Sequence, residues 1–162
     1  MVCGTESSKT AAAELAWALI LASVRRIAQH DRAVREGRWV EAIGTGLSGK
    51  VLGVLGPGKL GAQVARIGLA FGMKVISWSQ NLTTQRAEEV GTVRVEKNEF
   101  FATADIISIH VALSERTRGL VGAHEIGLMK TDRSGPVAPI LMTGPFYRRL
   151  SVLFIPRLKE VR

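Results

Sequence analysis

Three apolar runs dominate the centre of the chain, at Val51–Leu55, Met73–Trp78 and Asp105–Val111. Each run is short and shows little alternation with polar residues, as is typical of strands buried on both faces of a parallel sheet. Between the first two runs, apolar residues recur at spacings of four, three and four. That spacing predicts a helix with one core-facing stripe, formed by Leu60, Val64, Ile67 and Phe71.

Shorter elements complete this central pattern. We expect a helix over Thr83–Val90, a strand over Thr92–Val95 and a helical turn over Asn98–Ala102. Strands and helices therefore alternate with short connections, which favours a parallel sheet with right-handed crossovers. The sequence predicts an α/β fold with a βαβ unit over roughly Lys50 to Leu113.

The segment before the first strand predicts one long helix from Thr10 to about Arg35, because it is rich in Ala and Leu and free of Gly and Pro. Its first half is apolar almost all round, and a helix without a polar face must be covered on several sides. A partner subunit or a further domain would cover the side that this domain leaves open. A central core helix is the alternative. A glycine-rich loop follows, marked by Gly44, Gly46 and Gly49.

The apolar run Ala11–Val24 is shorter than the ~20 residues that a membrane span needs, and Glu14 interrupts it. Arg25 and Arg26 follow the run, whereas a signal peptide carries its basic residues in front. The chain has one cysteine, Cys3, which excludes an internal disulfide framework and a thiolate metal site. We therefore expect a cytoplasmic protein without membrane contact.

The net charge of +8 invites a nucleic-acid-binding interpretation. Residues 1–130, however, carry 16 Lys and Arg against 12 Asp and Glu, and residues 131–162 carry 6 against 2. Half of the excess charge thus lies in the last 32 residues, and no basic stripe is interleaved with aromatic residues. We therefore expect no nucleic-acid partner.

Three glycines after the first strand form the pattern G-x-G-x-x-G, at the start of the predicted helix. Gly56 permits a sharp turn, the missing Cβ of Gly58 lets the backbone approach a pyrophosphate, and Gly61 lets the helix pack closely on the strand. The amides of the first helical turn and the helix dipole then bind the two phosphates. A structural glycine turn without a ligand is the alternative.

The acidic residue that binds the ribose hydroxyls in this motif, about 20 residues further on, is absent. No Asp or Glu occurs between Met73 and Ala87, and Ser79 stands at the expected position. Serine removes a charge that would repel a 2′-phosphate, and Arg86 is a candidate ligand for that phosphate. We therefore expect NAD or NADP as the cofactor, with weak discrimination between the two.

The chain resembles the NAD-binding domain of the D-isomer-specific 2-hydroxyacid dehydrogenases over about Val2 to Lys130. Six segments carry the resemblance: AAAELAWAL at 11–19, GKVLGVLG at 49–56, FGMKVI at 71–76, ADIISIHVAL at 104–113, TRGLV at 117–121 and LMK at 128–130. The resemblance implies a Rossmann-like, doubly wound parallel sheet, incomplete in this chain and preceded by a long dimerisation-type helix.

The resemblance also implies a two-domain enzyme that moves hydride between NAD(P) and a 2-oxo or D-2-hydroxy acid. The family usually works as a dimer built around the long helix, so a homodimer through residues 10–35 is expected. By position, the turn from Gly56 would contact the pyrophosphate, Ser79 would lie by the adenosine ribose, and the segment after the third apolar run would flank the nicotinamide. The implied cofactor-binding residues are Gly56, Gly58, Lys59, Leu60, Gly61, Ser79, Val111 and Ala112.

The family's catalytic residues have no match in this chain. The family uses an Arg to bind the substrate carboxylate, a His as proton donor and an acid that raises the pKa of that His. Near the Arg position this chain has Arg133 before Ser134, in the reverse of the family's order. We therefore expect a partial NAD(P)-binding domain over 1–130 and a divergent, basic and poorly ordered tail over 131–162. A shifted reading frame or a truncated gene is one hypothesis for that tail.

The three histidines do not replace the missing groups. His110 ends a buried strand, where the family also places a non-catalytic His, and His30 and His124 are expected on helix surfaces. No two of them have the spacing of metal ligands, so we expect neither a catalytic residue nor a metal site. The leading interpretation is a cofactor-binding domain that is inactive alone. The alternatives are a regulatory nucleotide-binding module that dimerises with a relative, and an oxidoreductase completed by another chain.

Overall fold

The computed structural model describes residues 10–39, 43–112 and 114–130, and the backbone of two further strands. The helices among these residues are α1 Ala11–Val24, α2 Ile27–Arg35, α3 Lys59–Ala70, α4 Thr84–Glu89, α5 Lys97–Thr103 and α6 Ala123–Leu128. The strands are β1 Val51–Leu55, β2 Lys74–Trp78, β3 Val93–Arg94, β4 Ile106–Ile109, β5 Ile140–Met142 and β6 Val152–Leu153.

The strands form one sheet in the order β3-β2-β1-β4-β5-β6. All neighbouring pairs are parallel except β5 and β6, which are antiparallel. In the centre, Leu52 pairs with Val75 of β2 on one side and with Ile106 of β4 on the other. The predicted doubly wound α/β fold is confirmed. Its strand order reverses at β1, and a crevice outside the carboxyl ends of β1 and β4 is where such sheets bind ligands.

Helices α1 and α3 cover one face of the sheet. Trp17 and Ile20 of α1 pack with Leu52 and Val64 in a single buried cluster, and Trp17 Nε1 donates a 3.2 Å hydrogen bond to the carbonyl of Val64. This hydrogen bond satisfies the one polar atom of the buried Trp17 indole. Because a hydrogen bond is directional, it orients α1 relative to α3 in addition to the apolar contacts between them.

A second buried cluster fills the opposite face. Phe100 and Phe101 of α5 are fully buried there in an edge-to-face pair with ring centroids 5.2 Å apart, and they pack with Leu55 and Ile107. Gly53 of β1 makes room for them, because a Cβ on that residue would lie 2.9 Å from Phe100 Cζ. The two clusters therefore cover the sheet on both of its faces.

The single long helix predicted from Thr10 to Arg35 is wrong. The helix is interrupted between α1 and α2 at Arg26, a non-glycine residue in the left-handed region with φ of 53°. The loop between α2 and β1 packs against the break, where Thr45 N donates a 2.8 Å hydrogen bond to Val24 O. Helical periodicity continues across the break in the sequence, so the pattern alone gave no sign of it.

The predicted stripe of α3 is only partly buried. Val64 is fully buried, but Phe71 is 41% exposed and caps the end of the helix. Its ring packs against Trp17 with centroids 4.9 Å apart. Phe71 therefore extends the apolar contact between α1 and α3 outward to the surface instead of entering the core.

Strand β1 has the predicted bounds, and the other central elements begin and end within a few residues of the predicted ones. No element was predicted after residue 130, and here the structure differs, because β5 and β6 extend the sheet beyond β4. Such short strands carry too few residues for a readable period. The rest of 131–162 lies outside the described residues, so the prediction of a poorly ordered tail, and the domain boundary at 130, stay predictions there. Cys3 and Arg133 also lie outside the described residues.

Candidate functional site

The glycine-rich turn is anchored to the strands on both sides of β1. Gly56 N donates a 2.9 Å hydrogen bond to Trp78 O at the end of β2, and His110 N donates a 2.8 Å hydrogen bond to Leu55 O from the end of β4. Gly56 itself has φ of +85°, which favours glycine. The turn therefore leaves β1 in one fixed direction, at the edge of the sheet where the three strands end.

The three glycines of the motif differ in what surrounds them. A Cβ on Gly56 would lie 2.7 Å from Val111 Cγ1, and a Cβ on Gly61 would collide with Gly56 O. A Cβ on Gly58, by contrast, would meet nothing within 4 Å. The first and third glycines are thus required by packing inside the protein. Gly58 is not, and it leaves open space in front of the backbone.

Helix α3 begins directly after that open space. Its first hydrogen bond from the N-cap runs from Ala62 N to Gly58 O, at 2.8 Å. The amides of Lys59, Leu60 and Gly61 precede that bond and have no carbonyl one turn earlier in the helix. Together with the partial positive charge at the beginning of a twelve-residue helix, they form a place where phosphate oxygens are stabilised.

A cleft of about 330 Å³ opens in front of the turn. Its walls come from the glycine turn, from the segment after β2, from α4 and from the end of β4. The residues that line it are Gly56, Pro57, Gly58, Ser79, Asn81, Leu82, Arg86 and His110.

A second, smaller cavity of about 120 Å³ lies beside the first one, and Ser79 and Asn81 line both of them. The second cavity lies between the end of β2 and the loop after β4. Its other lining residues are Trp78, Gln80, Val111, Ser114, Arg116, Thr117 and Leu120. Lys97 Nζ lies 5.9 Å from the centroid of the Trp78 ring and so holds one wall of this cavity by a cation–π contact.

His110 faces the first cleft as a neutral group. Its Nε2 and the buried Ser108 Oγ are 2.7 Å apart in a hydrogen bond, and burial lowers the pKa of His110 to about 4. At neutral pH the imidazole therefore adds no positive charge to the cleft. His124 is exposed on α6 and His30 of α2 is half-buried. Among the residues that the structure describes, no group of three His, Cys, Asp or Glu could hold a metal ion.

The predicted cofactor-binding residues occupy different places. The structure brings Gly56, Gly58 and Ser79 together around the first cleft, and Val111 joins Ser79 in the second. Val111 thus lies next to the residue assigned to the adenosine ribose, and its assignment to the nicotinamide end stays a prediction. The other four line neither cavity: Lys59 and Ala112 are exposed, Leu60 packs against the core, and Gly61 lies behind the turn.

Sequence reasoning missed the lining residues that follow the strands directly. Asn81, Leu82 and Gln80 come after β2, and Arg116, Thr117 and Leu120 come after β4. The general location of these residues could have been predicted, because parallel sheets bind ligands with the loops at the carboxyl ends of their strands. Which side chains of those loops face the cavity depends on how two loops pack together.

The fold is that of a Rossmann-like α/β domain, a class in which ligands bind at the carboxyl edge of the sheet, where this cleft lies. A family model described as "D-isomer specific 2-hydroxyacid dehydrogenase, NAD binding domain" matches residues 17–134. The chain belongs to this family and contains its NAD-binding domain.

Relatives and solved structures agree with the family. A glyoxylate reductase from Aeropyrum pernix is 40% identical over 129 residues, covering 74% of this chain and 38% of the relative. A D-3-phosphoglycerate dehydrogenase from Archaeoglobus fulgidus is 38% identical over 120 residues, covering 73% of this chain and 23% of the relative. A D-lactate dehydrogenase from Aquifex aeolicus, solved with NAD and lactic acid, superposes with a TM-score of 0.70 at 32% identity, covering 76% of this chain and 38% of that one.

The chain spans about two fifths of the length of the glyoxylate reductases that it matches. No described helix is both long and apolar enough to cross a membrane. The cytoplasmic location stays a prediction.

Proposed function

We propose that this chain binds a nicotinamide dinucleotide across the carboxyl ends of β1, β2 and β4. The pyrophosphate lies against the first amides of α3, those of Lys59 and Leu60, in front of Gly58. The adenosine lies toward Ser79, with its base in the smaller cavity between Trp78 and the loop after β4. When bound, the nicotinamide supplies a carbon that accepts or donates hydride, and the protein positions it.

One observation carries this proposal. Of the three motif glycines, Gly58 is the one at which packing inside the protein does not require glycine, since a Cβ there would meet no atom within 4 Å. At a position whose backbone conformation alanine can adopt, glycine costs about 0.4–1 kcal/mol of stability, because the unfolded chain has more conformational freedom to lose. A glycine that packing does not require, beside a cleft and at the beginning of a helix, is explained by a ligand that approaches the backbone.

Gly58→Val tests the binding site directly. The backbone at Gly58 has φ of −73° and ψ of −162°, which valine adopts without strain. Because Gly58 is the N-cap of α3, where valine is less favourable than glycine, the variant should fold with a loss of stability of about 1 kcal/mol. We expect its affinity for NAD in calorimetry to fall at least tenfold, about 1.4 kcal/mol. Gly46→Val is the matched control, because a Cβ at Gly46 also meets nothing within 4 Å and Gly46 lines neither cavity. Equal NAD affinity in the folded Gly58→Val variant would contradict the proposal.

The same chain is proposed to be inactive alone on 2-oxo acids. Among the described residues, the one histidine that lines the first cleft is His110, whose imidazole is neutral and hydrogen-bonded to Ser108. Mixing the chain with reduced cofactor and glyoxylate, pyruvate or hydroxypyruvate should leave the nicotinamide absorbance constant. Oxidation of the cofactor that follows substrate concentration would contradict this and favour an active oxidoreductase.

Exposed apolar residues of α1 and α2 support a second proposal, that the chain pairs with another copy or with a longer relative. Leu15 of α1 is 39% exposed and Ile27 and Val34 of α2 are more than half exposed. Burying each such side chain stabilises an interface by about 1–2 kcal/mol. Light scattering should give twice the chain mass, and Leu15→Glu with Ile27→Glu should give the monomer mass. A monomeric wild-type chain would contradict homodimerisation.

A further inference from the structure

We propose that the site beside Ser79 takes the 2′-phosphate of NADP, bracketed by Arg86 and Arg116, and that this chain prefers NADP to NAD. The inference rests on the proposed dinucleotide binding and goes further, since it assigns the charge of the adenosine end of the ligand and names the two residues that recognise it.

The two arginines line adjoining cavities that share one segment of the chain. Arg86 of α4 lines the larger cleft, Arg116 of the loop after β4 lines the smaller one, and Ser79 and Asn81 line both. A group bound at Ser79 therefore lies where two cavities adjoin, each with an arginine among its lining residues. Arginine forms strong, charge-assisted hydrogen bonds with phosphate oxygens.

No negative charge opposes this arrangement within the cavities. Neither lining set includes Asp or Glu, whereas a carboxylate at this position would hold the ribose hydroxyls of NAD and repel a 2′-phosphate. Ser79 and Asn81 offer uncharged hydrogen-bonding groups in its place. The chemistry at this end of the cleft thus matches a dianion better than a free hydroxyl.

The two arginines differ in how far they are already paired. Arg86 forms a 2.7 Å ion pair with Glu89, one helical turn further on, and both side chains are about half exposed or more. Such an exposed pair contributes little by itself, so a phosphate can take over the guanidinium. Within the part of the chain that the structure describes, Arg116 has no carboxylate partner, and Glu115 instead pairs with Arg118. Glu89 is therefore the group that competes with the ligand.

Binding titrations of the full chain with NADP, NAD, 2′,5′-ADP and 5′-AMP test the inference. We expect NADP to bind more tightly than NAD, and 2′,5′-ADP more tightly than 5′-AMP. Arg86→Gln and Arg116→Gln should each weaken NADP and 2′,5′-ADP by about five- to tenfold and leave NAD within about twofold. Glu89→Gln should strengthen NADP binding, because it releases Arg86. Arg66→Gln is the control, because it removes one positive charge from an exposed position on α3 that lines neither cavity.

The outcomes separate this inference from the proposed function. NAD binding that is equal to or tighter than NADP binding overturns the 2′-phosphate site and leaves the dinucleotide site standing. An equal loss of NAD and NADP in both arginine variants overturns it too, because the arginines would then act on a part common to both ligands. If none of the four ligands binds the folded chain, both proposals fail together.

Discussion

Val111 closes over Gly56, so that a Cβ on the glycine would lie 2.7 Å from Val111 Cγ1. The contact joins the turn after β1 to the residue just beyond β4, across the point where the strand order reverses. Behind it, Gly61 packs against the carbonyl of Gly56. Gly56, the first glycine of the motif, is therefore closely packed on both sides, whereas Gly58, the second one, faces open space.

Gly56→Ala should consequently destabilise the fold, whereas Gly58→Ala should not. The alanine would have to keep a φ of +85° and displace Val111, which together cost about 2–4 kcal/mol. Urea denaturation followed by circular dichroism measures the difference. In the double variant with Val111→Ala the clash with the valine should be relieved, while the 3.0 Å approach of the new Cβ to His110 O and the backbone strain should remain. A Gly56→Ala protein as stable as the wild type would show that the turn rearranges freely.

The ion pair between Lys97 and Glu125 should make stability depend on pH in the acid range. Glu125 Oε1 accepts a 2.7 Å hydrogen bond from Lys97 Nζ, and Oε2 accepts one of 2.8 Å from Gly122 N. The Lys97 hydrogen bond, with that of Gly122, lowers the pKa of Glu125 from 4.5 to about 2. The folded chain thus releases this proton more easily than the unfolded chain, so the stabilisation is complete above pH 4.5 and is lost as the pH falls toward 2.

Glu125→Gln should cost about 1–2 kcal/mol at pH 7 and flatten the fall in stability between pH 4.5 and 2. Glu99→Gln, an exposed carboxylate on α5, is the control for the change in net charge. The measurement is the urea midpoint at a series of pH values. Parallel curves for Glu125→Gln and the wild type would contradict the assignment of this pH dependence to Glu125.

How much the sequence could predict depended on whether a feature is local. Val51–Leu55 is a continuous apolar run between glycines, so β1 was predicted with its observed bounds. The left-handed conformation of Arg26 could not be predicted from the hydrophobic pattern, because an arginine at this position is equally compatible with a continuous helix. Arg116 was also missed, since its place beside Ser79 results from the packing of two loops 37 positions apart in the numbering.

His110 should make the folded chain less stable in mild acid. Burial lowers its pKa from 6.5 to about 4, so between these values the unfolded chain binds the proton and the folded chain does not. Stability therefore falls as the pH drops from 6.5 to 4 and is insensitive to this group above 6.5. In an NMR titration of the imidazole carbon-bound protons, we expect the His110 signals to move near pH 4. A midpoint near 6.5 would show that water reaches the ring freely.

Asp105 should contribute more to stability than its ion pair suggests. Its Oδ2 accepts a 2.7 Å hydrogen bond from Val51 N, and its Oδ1 accepts one of 2.9 Å from Lys130 Nζ. Burial would raise the pKa of Asp105, but the Val51 and Lys130 hydrogen bonds outweigh it and hold the pKa below its ordinary value. Asp105→Ala leaves the first amide of β1 without its acceptor, which costs about 1–3 kcal/mol.

Lys130→Ala separates the two contacts of Asp105. The lysine is 45% exposed, so removing it should cost only about 0.5 kcal/mol, and Asp105→Asn, which keeps an oxygen acceptor for Val51 N, should lie between the two. Denaturant midpoints at pH 7 give this ranking. If Lys130→Ala were as destabilising as Asp105→Ala, the stabilisation by Asp105 would come from its ion pair and not from its hydrogen bond to Val51 N. In the Asp105→Ala variant the amide of Val51 would then be hydrogen-bonded to water.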